Sequence, residues 1–302
     1  MSKLVPLMQR EWLQYRFGWM LMVLVPFAIA LLLLAFGQIQ IGPEHVDRVG
    51  EGLAPMLAMA AIAGSSGVMF AIASLSSLII VSSIARRDHA DRSIEFWLSL
   101  PTSHSASLGA PLLVHLLLVP AAALLLGLAG GLLVSMMLVG RVVGISAWFA
   151  LPWGDLLPAV FSLFARLLAG LPLALLWLSP LILLVVLLAA WFRRWSWVIL
   201  GVGFGLGGLL LDRVFGQPLL SQTTAALLLG AQQALISAGE GFQMGAAEGL
   251  EGLRNLPAWA LHDFGLALGK LSSPLLAGAL LFSAGCFALL VLWRQRGAGA
   301  AG

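Results

Sequence analysis

Charged residues are scarce in this chain of 302 residues. Lys, Arg, Asp and Glu together make up 10% of the sequence, whereas about 25% is usual in soluble domains. Hydrophobic residues reach 61%. A globule of this composition has too little ionic surface to remain in water, so the sequence excludes an ordinary soluble domain and predicts an integral membrane protein.

Cysteine is nearly absent. Cys286 is the single cysteine, which excludes an internal disulfide and a cysteine-based zinc or iron–sulfur site. We expect no metal and no cofactor in this chain. The formal net charge is only +3, and the basic residues occur in ones and twos rather than along a stripe, so nucleic-acid binding is disfavoured.

The gaps between charged residues predict six membrane-spanning helices. A bilayer core about 30 Å thick requires about 20 apolar residues, because each helical residue rises about 1.5 Å. The apolar runs are continuous, not alternating, which excludes the strands of a membrane β-barrel and predicts an all-α bundle. The predicted spans cover residues 19–37, 56–84, 109–139, 166–192, 195–211 and 273–293.

The distribution of Lys and Arg predicts that both chain ends lie in the cytoplasm, because basic loops stay on that side. With six spans, the side of the two ends carries Lys3, Arg10, Arg16, Arg86, Arg87, Arg92, Arg193, Arg194, Arg294 and Arg296. The opposite side carries Arg48, Arg141, Arg213, Arg254 and Lys270. The larger basic group therefore places both termini inside.

Two segments outside the predicted spans have helical patterns. Residues 1–16 read as an amphipathic helix on the inner leaflet, and the alternative is the polar start of the first span. Residues 213–271 form the longest segment on the outer side. Within them, residues 219–237 predict an interfacial or re-entrant helix, and a further span is the alternative.

Titratable residues inside the predicted spans are few. His115 lies in the third span, where we expect a hydrogen bond to a neighbouring helix; a proton relay would need a second member, which the sequence does not reveal. Arg166 lies at the outer end of the fourth span, where its side chain can reach the interface as an anchor. Both residues are candidates for a substrate pathway.

Glycine patterns suggest phosphate binding only superficially. The stretch GLALGKL at residues 265–271 has the wrong spacing for a phosphate loop and lacks its Ser or Thr. Four glycines of the fifth span instead form two pairs, each with its members four residues apart, a spacing that allows close helix packing. They are Gly201, Gly203, Gly205 and Gly207.

The segment between the second and third spans, residues 85–113, is unlike the rest of the chain. It begins with a run of Arg, Asp and Glu and continues with a short aromatic stretch, residues 94–100, that Pro101 ends. Phe96 and Trp97 would face away from the charges. Such aromatic residues suit a contact with a protein partner or insertion among lipid headgroups, and physics alone leaves both open.

The sequence Ser-Ile-Glu-Phe-Trp-Leu-Ser-Leu-Pro-Thr-Ser at residues 93–103, preceded by charges and followed by a new span, resembles the cytoplasmic loop of bacterial ABC-2 type transporter permeases. The plan of six spans, an amino-terminal interfacial helix and a long outer segment between spans five and six is similar to that family as well. This resemblance implies a permease of the bacterial inner membrane that lacks its own ATPase.

The resemblance also implies partners. Two permease subunits, expected to be identical, would pair within membrane lipid, and each would bind a separate ABC ATPase that holds ATP and Mg²⁺. The exported substrate would be hydrophobic or amphipathic, such as a lipid, a peptide or a drug. The loop over residues 85–105 would bind the ATPase through Arg86, Arg87, Asp88, Asp91, Arg92, Glu95, Phe96 and Trp97.

Two alternatives remain at this point. A stand-alone secondary transporter or channel would be expected to keep ionisable residues within its spans. The second alternative is a membrane enzyme or a non-catalytic scaffold. An enzyme would need clustered polar groups.

Overall fold

The computed structural model describes residues 4–38, 52–90, 103–192, 195–237 and 249–299. These residues form helices joined by short connections, with no strand among them. The helices are α1 (Leu4–Phe36), α2 (Leu53–Ala90), α3 (His104–Leu113), α4 (Val119–Val142), α5 (Ile145–Phe149), α6 (Trp153–Phe192), α7 (Ser196–Arg213), α8 (Leu219–Leu235), α9 (Gly249–Gly269) and α10 (Pro274–Gly299).

Five helical stretches among the described residues are long and apolar enough to cross a membrane. They lie in α1, α2, the continuous helix α3–α4, α6 and α10, and they cover five of the six predicted spans. Their outer faces carry many exposed Leu, Ile, Val and Phe side chains, which suits contact with lipid. The chain is therefore an all-helical protein with five candidate membrane-spanning helices.

The amino-terminal region differs from the expected division into an interfacial helix over 1–16 and a span. Helix α1 runs without a break for 33 residues, which corresponds to about 50 Å. Between residues 16 and 19, where a boundary was expected, there is no proline, and Gly18 alone is too weak to break the helix. Pro26 lies further along, inside the helix. The first turns are thus the polar start of the same helix, and Glu11 within them is buried.

The third span is one helix with a widened turn. A π-helical turn, Val114–Leu118, separates α3 from α4. Single π turns inside α-helices often occur at functional sites. At the amino end, Ser103 caps α3: its hydroxyl accepts a hydrogen bond from the Ala106 amide at 3.2 Å.

Helix α6 is longer than the predicted span. It begins at Trp153, well before residue 166 where the span was expected to start. The charge of Arg166 suggested the edge of the membrane. Its side chain is instead buried and paired with Asp263, and the helix continues on both sides of it. Helix α10 runs parallel to α6, since the Ser283 and Ser179 hydroxyls are hydrogen-bonded at 2.8 Å and, further along both helices, Leu290 and Leu187 belong to one hydrophobic cluster.

Helix α8 lies antiparallel to α6. Ala234, near the carboxyl end of α8, contacts Arg166, whereas Leu220 near its amino end shares a groove with Leu184. The part of α6 between those contacts corresponds to about 27 Å. Helix α8 therefore follows α6 over most of the thickness of a bilayer core.

Helix α7 covers the predicted fifth span but remains near the carboxyl-terminal part of α6. It starts just after α6 ends, and Phe204 on α7 lines the same groove as Leu184 and Leu220. The chain then reverses through Gly216, whose φ of 64° is the left-handed conformation that glycine adopts freely. The sequence did not reveal this reversal.

Candidate functional site

The predicted ATPase-binding segment is only partly within the described residues. Helix α2 extends to Ala90 and so includes Arg86, Arg87 and Asp88, whose side chains lie outside the described part. Asp91, Arg92, Glu95, Phe96 and Trp97 lie outside the described residues altogether. The helix that follows this segment, α3, packs against α1, α2 and α10.

His115 lies in the π-helical turn and is completely buried. Its Nε2 atom is 3.1 Å from Oε2 of Glu11 on α1, and Glu11 is only 1% exposed. The Tyr15 ring meets the imidazole edge-on at 5.3 Å between centroids. The Trp19 ring stacks on the imidazole at 5.6 Å.

The contact between His115 and Glu11 joins the first turns of α1 to the third span. The hydrogen bond from His115 to a neighbouring helix was expected from the sequence, but Glu11 was assigned to a surface helix, so its carboxylate was missed as the partner. A spacing signal existed: Glu11, Tyr15 and Trp19 recur every four residues, which places them on one face of a helix. That face meets His115.

Arg166 has a different environment from the one expected. The side chain does not extend to an interface; the residue is 2% exposed, and its NH2 group is 2.8 Å from Oδ2 of Asp263 on α9. Its guanidinium also donates to the backbone carbonyls of Ala234 at 2.7 Å and Gln233 at 3.3 Å. Arg166 thereby satisfies carbonyl groups at the end of α8, which lack partners within their own helix.

The same cluster includes two further polar contacts. The Ser237 amide donates to Oδ2 of Asp263 at 3.3 Å. The Lys270 ammonium donates to Oε1 of Gln233 at 2.6 Å. Because every one of these groups has a protein partner, the cluster joins α6, α8 and α9, and Arg166 acts in it as a structural centre.

Two arginine side chains make contacts between helices at the end of the bundle opposite Glu11. Arg141 on α4 donates to the carbonyls of Leu34 at 2.8 Å and Ala35 at 2.6 Å, at the carboxyl end of α1. Arg254 on α9 pairs with Asp155 at 3.1 Å on the surface. The hydrogen bonds that Arg254 donates to the Asp155 carboxylate raise the pKa of Arg254, so the guanidinium is charged at every physiological pH.

Among the described residues, the glycines proposed for helix packing have no close neighbour on another helix. A Cβ atom added at Gly201, Gly203 or Gly205 would meet nothing within 4 Å, and at Gly207 it would meet only a Leu220 methyl at 3.8 Å. The close approach occurs elsewhere.

Helices α2 and α4 pack closely at two glycines of α4. A Cβ at Gly127 would lie 2.5 Å from Cα of Ser66, and one at Gly131 would lie 2.9 Å from Cα of Ile62. These two glycines are four residues apart, so they face α2 together.

An apolar groove of about 460 Å³ lies between α6, α7, α8 and α10. Its only hydroxyl side chains, Thr223 and Thr224, bond to backbone carbonyls of their own helix. Neither His115 nor Arg166 lines it. Its lining includes Pro180, Leu184, Phe204, Leu227, Gly278 and Phe282.

Within the described residues, no group of three or more His, Cys, Asp and Glu side chains is arranged to hold a metal ion. Comparison with protein-family models, with curated proteins and with solved structures finds no match to this chain.

Proposed function

We propose that the chain is the membrane-spanning permease subunit of an ATP-binding cassette exporter, which uses ATP hydrolysed by a separate subunit. The observation that carries the proposal is the segment between α2 and α3: a charged run, then the aromatic pair Phe96 and Trp97, then Leu-Ser-Leu-Pro at residues 98–101. This pattern resembles the ATPase-binding loop of ABC-2 type permeases.

The position of the segment supports a role in coupling. It connects the end of α2 to α3, and α3 packs against α1, α2 and α10. A partner that pushes the segment would therefore move a helix that contacts three others. The His115–Glu11 contact lies just beyond α3, so the movement would reach α1 as well.

The proposal includes six membrane crossings, with α8 as the fifth in place of α7. Helix α8 runs antiparallel to α6. Its addition to the five long helices gives an even number of membrane crossings. Both chain ends then lie on one side, which the basic residues identify as the cytoplasm. Arg213, the last residue of α7, joins the basic residues of that side.

The substrate proposed is hydrophobic or amphipathic, such as a lipid, a peptide or a drug. The groove between α6, α7, α8 and α10 is apolar, which suits such a molecule better than an ion. Two permease chains would assemble with two ATPase subunits in the bacterial inner membrane.

The test is the double variant Phe96→Ala with Trp97→Ala in the full chain. The matched control is Trp191→Ala with Phe192→Ala, an adjacent aromatic pair at the end of α6 that is about half exposed. We expect the first variant to insert normally and to lose the bound ATPase, and the control to retain it.

Full retention of the ATPase by the Phe96 and Trp97 variant would contradict the proposal. A wild-type chain that binds no ATP-binding subunit would contradict it as well.

A stand-alone secondary transporter is the second candidate, and one observation favours it. Glu11 lies outside the predicted spans, yet Glu11 and His115 form a buried pair within the bundle. Buried ionisable pairs often occur in ion-coupled transporters.

A further inference from the structure

The apolar groove between α6, α7, α8 and α10 opens to the outside of the bundle. Leu275 and Phe282 on α10 line it and are 37% and 50% exposed, and Thr223 on α8 is exposed as well. Gly278 leaves a gap in the α10 wall, because a Cβ atom added there would meet nothing within 4 Å. The core of a bilayer holds no water, so a groove that opens sideways at this depth meets lipid chains.

The dimensions of the groove suit one lipid chain. Its volume of about 460 Å³ lies within the range of about 300–1,000 Å³ that is usual for small-molecule sites. On α8 the lining extends from Leu220 to Leu227, and the length of α8 from Leu220 to Gln233 corresponds to about 20 Å. One lipid chain covers about half of a bilayer core, which is about 15 Å. The groove can therefore hold a chain whose headgroup lies near Gln233.

The groove itself has no polar group to spare for a headgroup. The hydroxyls of Thr223 and Thr224 already donate to backbone carbonyls of their own helix, and the other lining side chains are apolar. A ligand must therefore place hydrocarbon in the groove and its polar part at one end.

A positive charge lies at one end of the groove. Pro274, the first residue of α10, lines the groove, and Lys270 lies in the short turn just before α10. The Lys270 ammonium donates to the neutral amide oxygen of Gln233 at 2.6 Å. An ammonium has three hydrogens to donate, so the bond to Gln233 leaves donors for an anion.

The charge of Lys270 is not balanced by a carboxylate among the described residues. The nearby carboxylate of Asp263 pairs with Arg166 at 2.8 Å. Two cations and one carboxylate thus meet around Gln233, and their formal charges sum to +1. A negatively charged headgroup would complement this end of the groove.

We propose that the groove and Lys270 together bind one anionic phospholipid, with an acyl chain in the groove and the phosphate at the Lys270 ammonium. The lipid enters sideways from the bilayer, past the exposed side chains of α8 and α10. A hydrogen bond between an ammonium and a phosphate is charge-assisted and therefore strong. Only the transport of this lipid rests on the proposed function, since binding itself needs no ATPase.

The test is native mass spectrometry of the full chain released from lipid nanodiscs. The nanodiscs contain equal amounts of dioleoylphosphatidylglycerol and dioleoylphosphatidylcholine, which share their acyl chains and differ in net charge. We expect the chain to retain one phosphatidylglycerol in preference to phosphatidylcholine. Equal retention of the two lipids would overturn the proposal, and a dimer that retains neither would assign the groove to a second copy of the chain.

Gly278→Leu tests the place of the acyl chain. The new side chain enters the groove without displacing a protein atom, so we expect the bound lipid to be lost. The matched control is Gly285→Leu on the same helix, where a Cβ is equally unobstructed but the residue does not line the groove. Retention of the lipid by Gly278→Leu at the level of the control would overturn the placement. If Gly278→Leu fails to insert, Thr223→Phe narrows the groove from α8 and should give the same loss.

Lys270→Gln tests the place of the headgroup. We expect the preference for phosphatidylglycerol to fall by about fivefold, the factor that corresponds to one Lys near an anionic membrane surface. Lys270→Arg keeps the charge and should keep the preference. An unchanged preference in Lys270→Gln would exclude Lys270 as the anion-binding group. The ATPase should remain bound to all these variants, so a failure of lipid binding is distinguishable from a failure of the permease proposal.

Discussion

Removal of Arg166 should destabilise the protein more than any other single loss of charge among the described residues. Arg166→Leu leaves Asp263 with a hydrogen bond from the Ser237 amide and removes the donors to Ala234 and Gln233. Breaking a buried ion pair from one side costs about 3–5 kcal/mol, because the other charge stays buried without compensation. We expect a loss in that range.

The double variant Arg166→Leu with Asp263→Leu should recover part of the loss. No charge is then left buried, and an apolar pair of similar volume is often tolerated. The coupling between the two sites in a double-mutant cycle should be about 1–3 kcal/mol. Complete additivity would refute the reasoning, since it would mean that the two side chains do not interact.

The assay is reversible unfolding of the full chain in detergent, followed by circular dichroism. The matched control is Arg254→Leu with Asp155→Leu, which breaks an exposed pair between the same two helices, α6 and α9. Exposed pairs contribute little, so we expect no measurable loss there. A control that loses as much stability as Arg166→Leu would contradict the explanation from burial.

Three further predictions concern packing and topology. Gly127→Leu should lower the free energy of unfolding by about 1–3 kcal/mol or prevent folding, because its Cβ has no space against α2. Gly203→Leu should have little effect in the same unfolding assay. Equal losses of stability in the two variants would contradict the packing of α2 against α4. Arg141→Ala should speed amide hydrogen exchange at the carboxyl end of α1 and leave exchange elsewhere unchanged. With Cys286→Ser as background, Gly216→Cys should react with a membrane-impermeant thiol reagent from the cytoplasmic side, and reaction only from outside would contradict α8 as the fifth crossing.

The sequence predicted the helical membrane architecture well because composition and long apolar runs determine it directly. Five of the expected spans coincide with long apolar helices. The boundaries were less accurate where a charge was taken as the edge of the membrane. Arg166 is the example: its partner, Asp263, is far away in sequence, so the burial of the charge could not be predicted from local pattern.

The polar contacts inside the bundle were harder to predict for the same reason. His115 was singled out, but Glu11 was assigned to a helix on the membrane surface, and the contact depends on α1 being continuous. The glycines of α7 have the spacing of a packing motif, yet Gly127 and Gly131 on α4 make the close approach. Spacing identifies a helix face but does not identify the neighbour of that face.

The most direct test of the permease proposal is the mass of the complex extracted from the native membrane in mild detergent. A tagged full-length chain should purify with a stoichiometric ATP-binding subunit, and the mass of the complex should correspond to two copies of each. A chain that purifies without an ATP-binding subunit in several detergents would contradict the proposal and would favour a transporter that works alone.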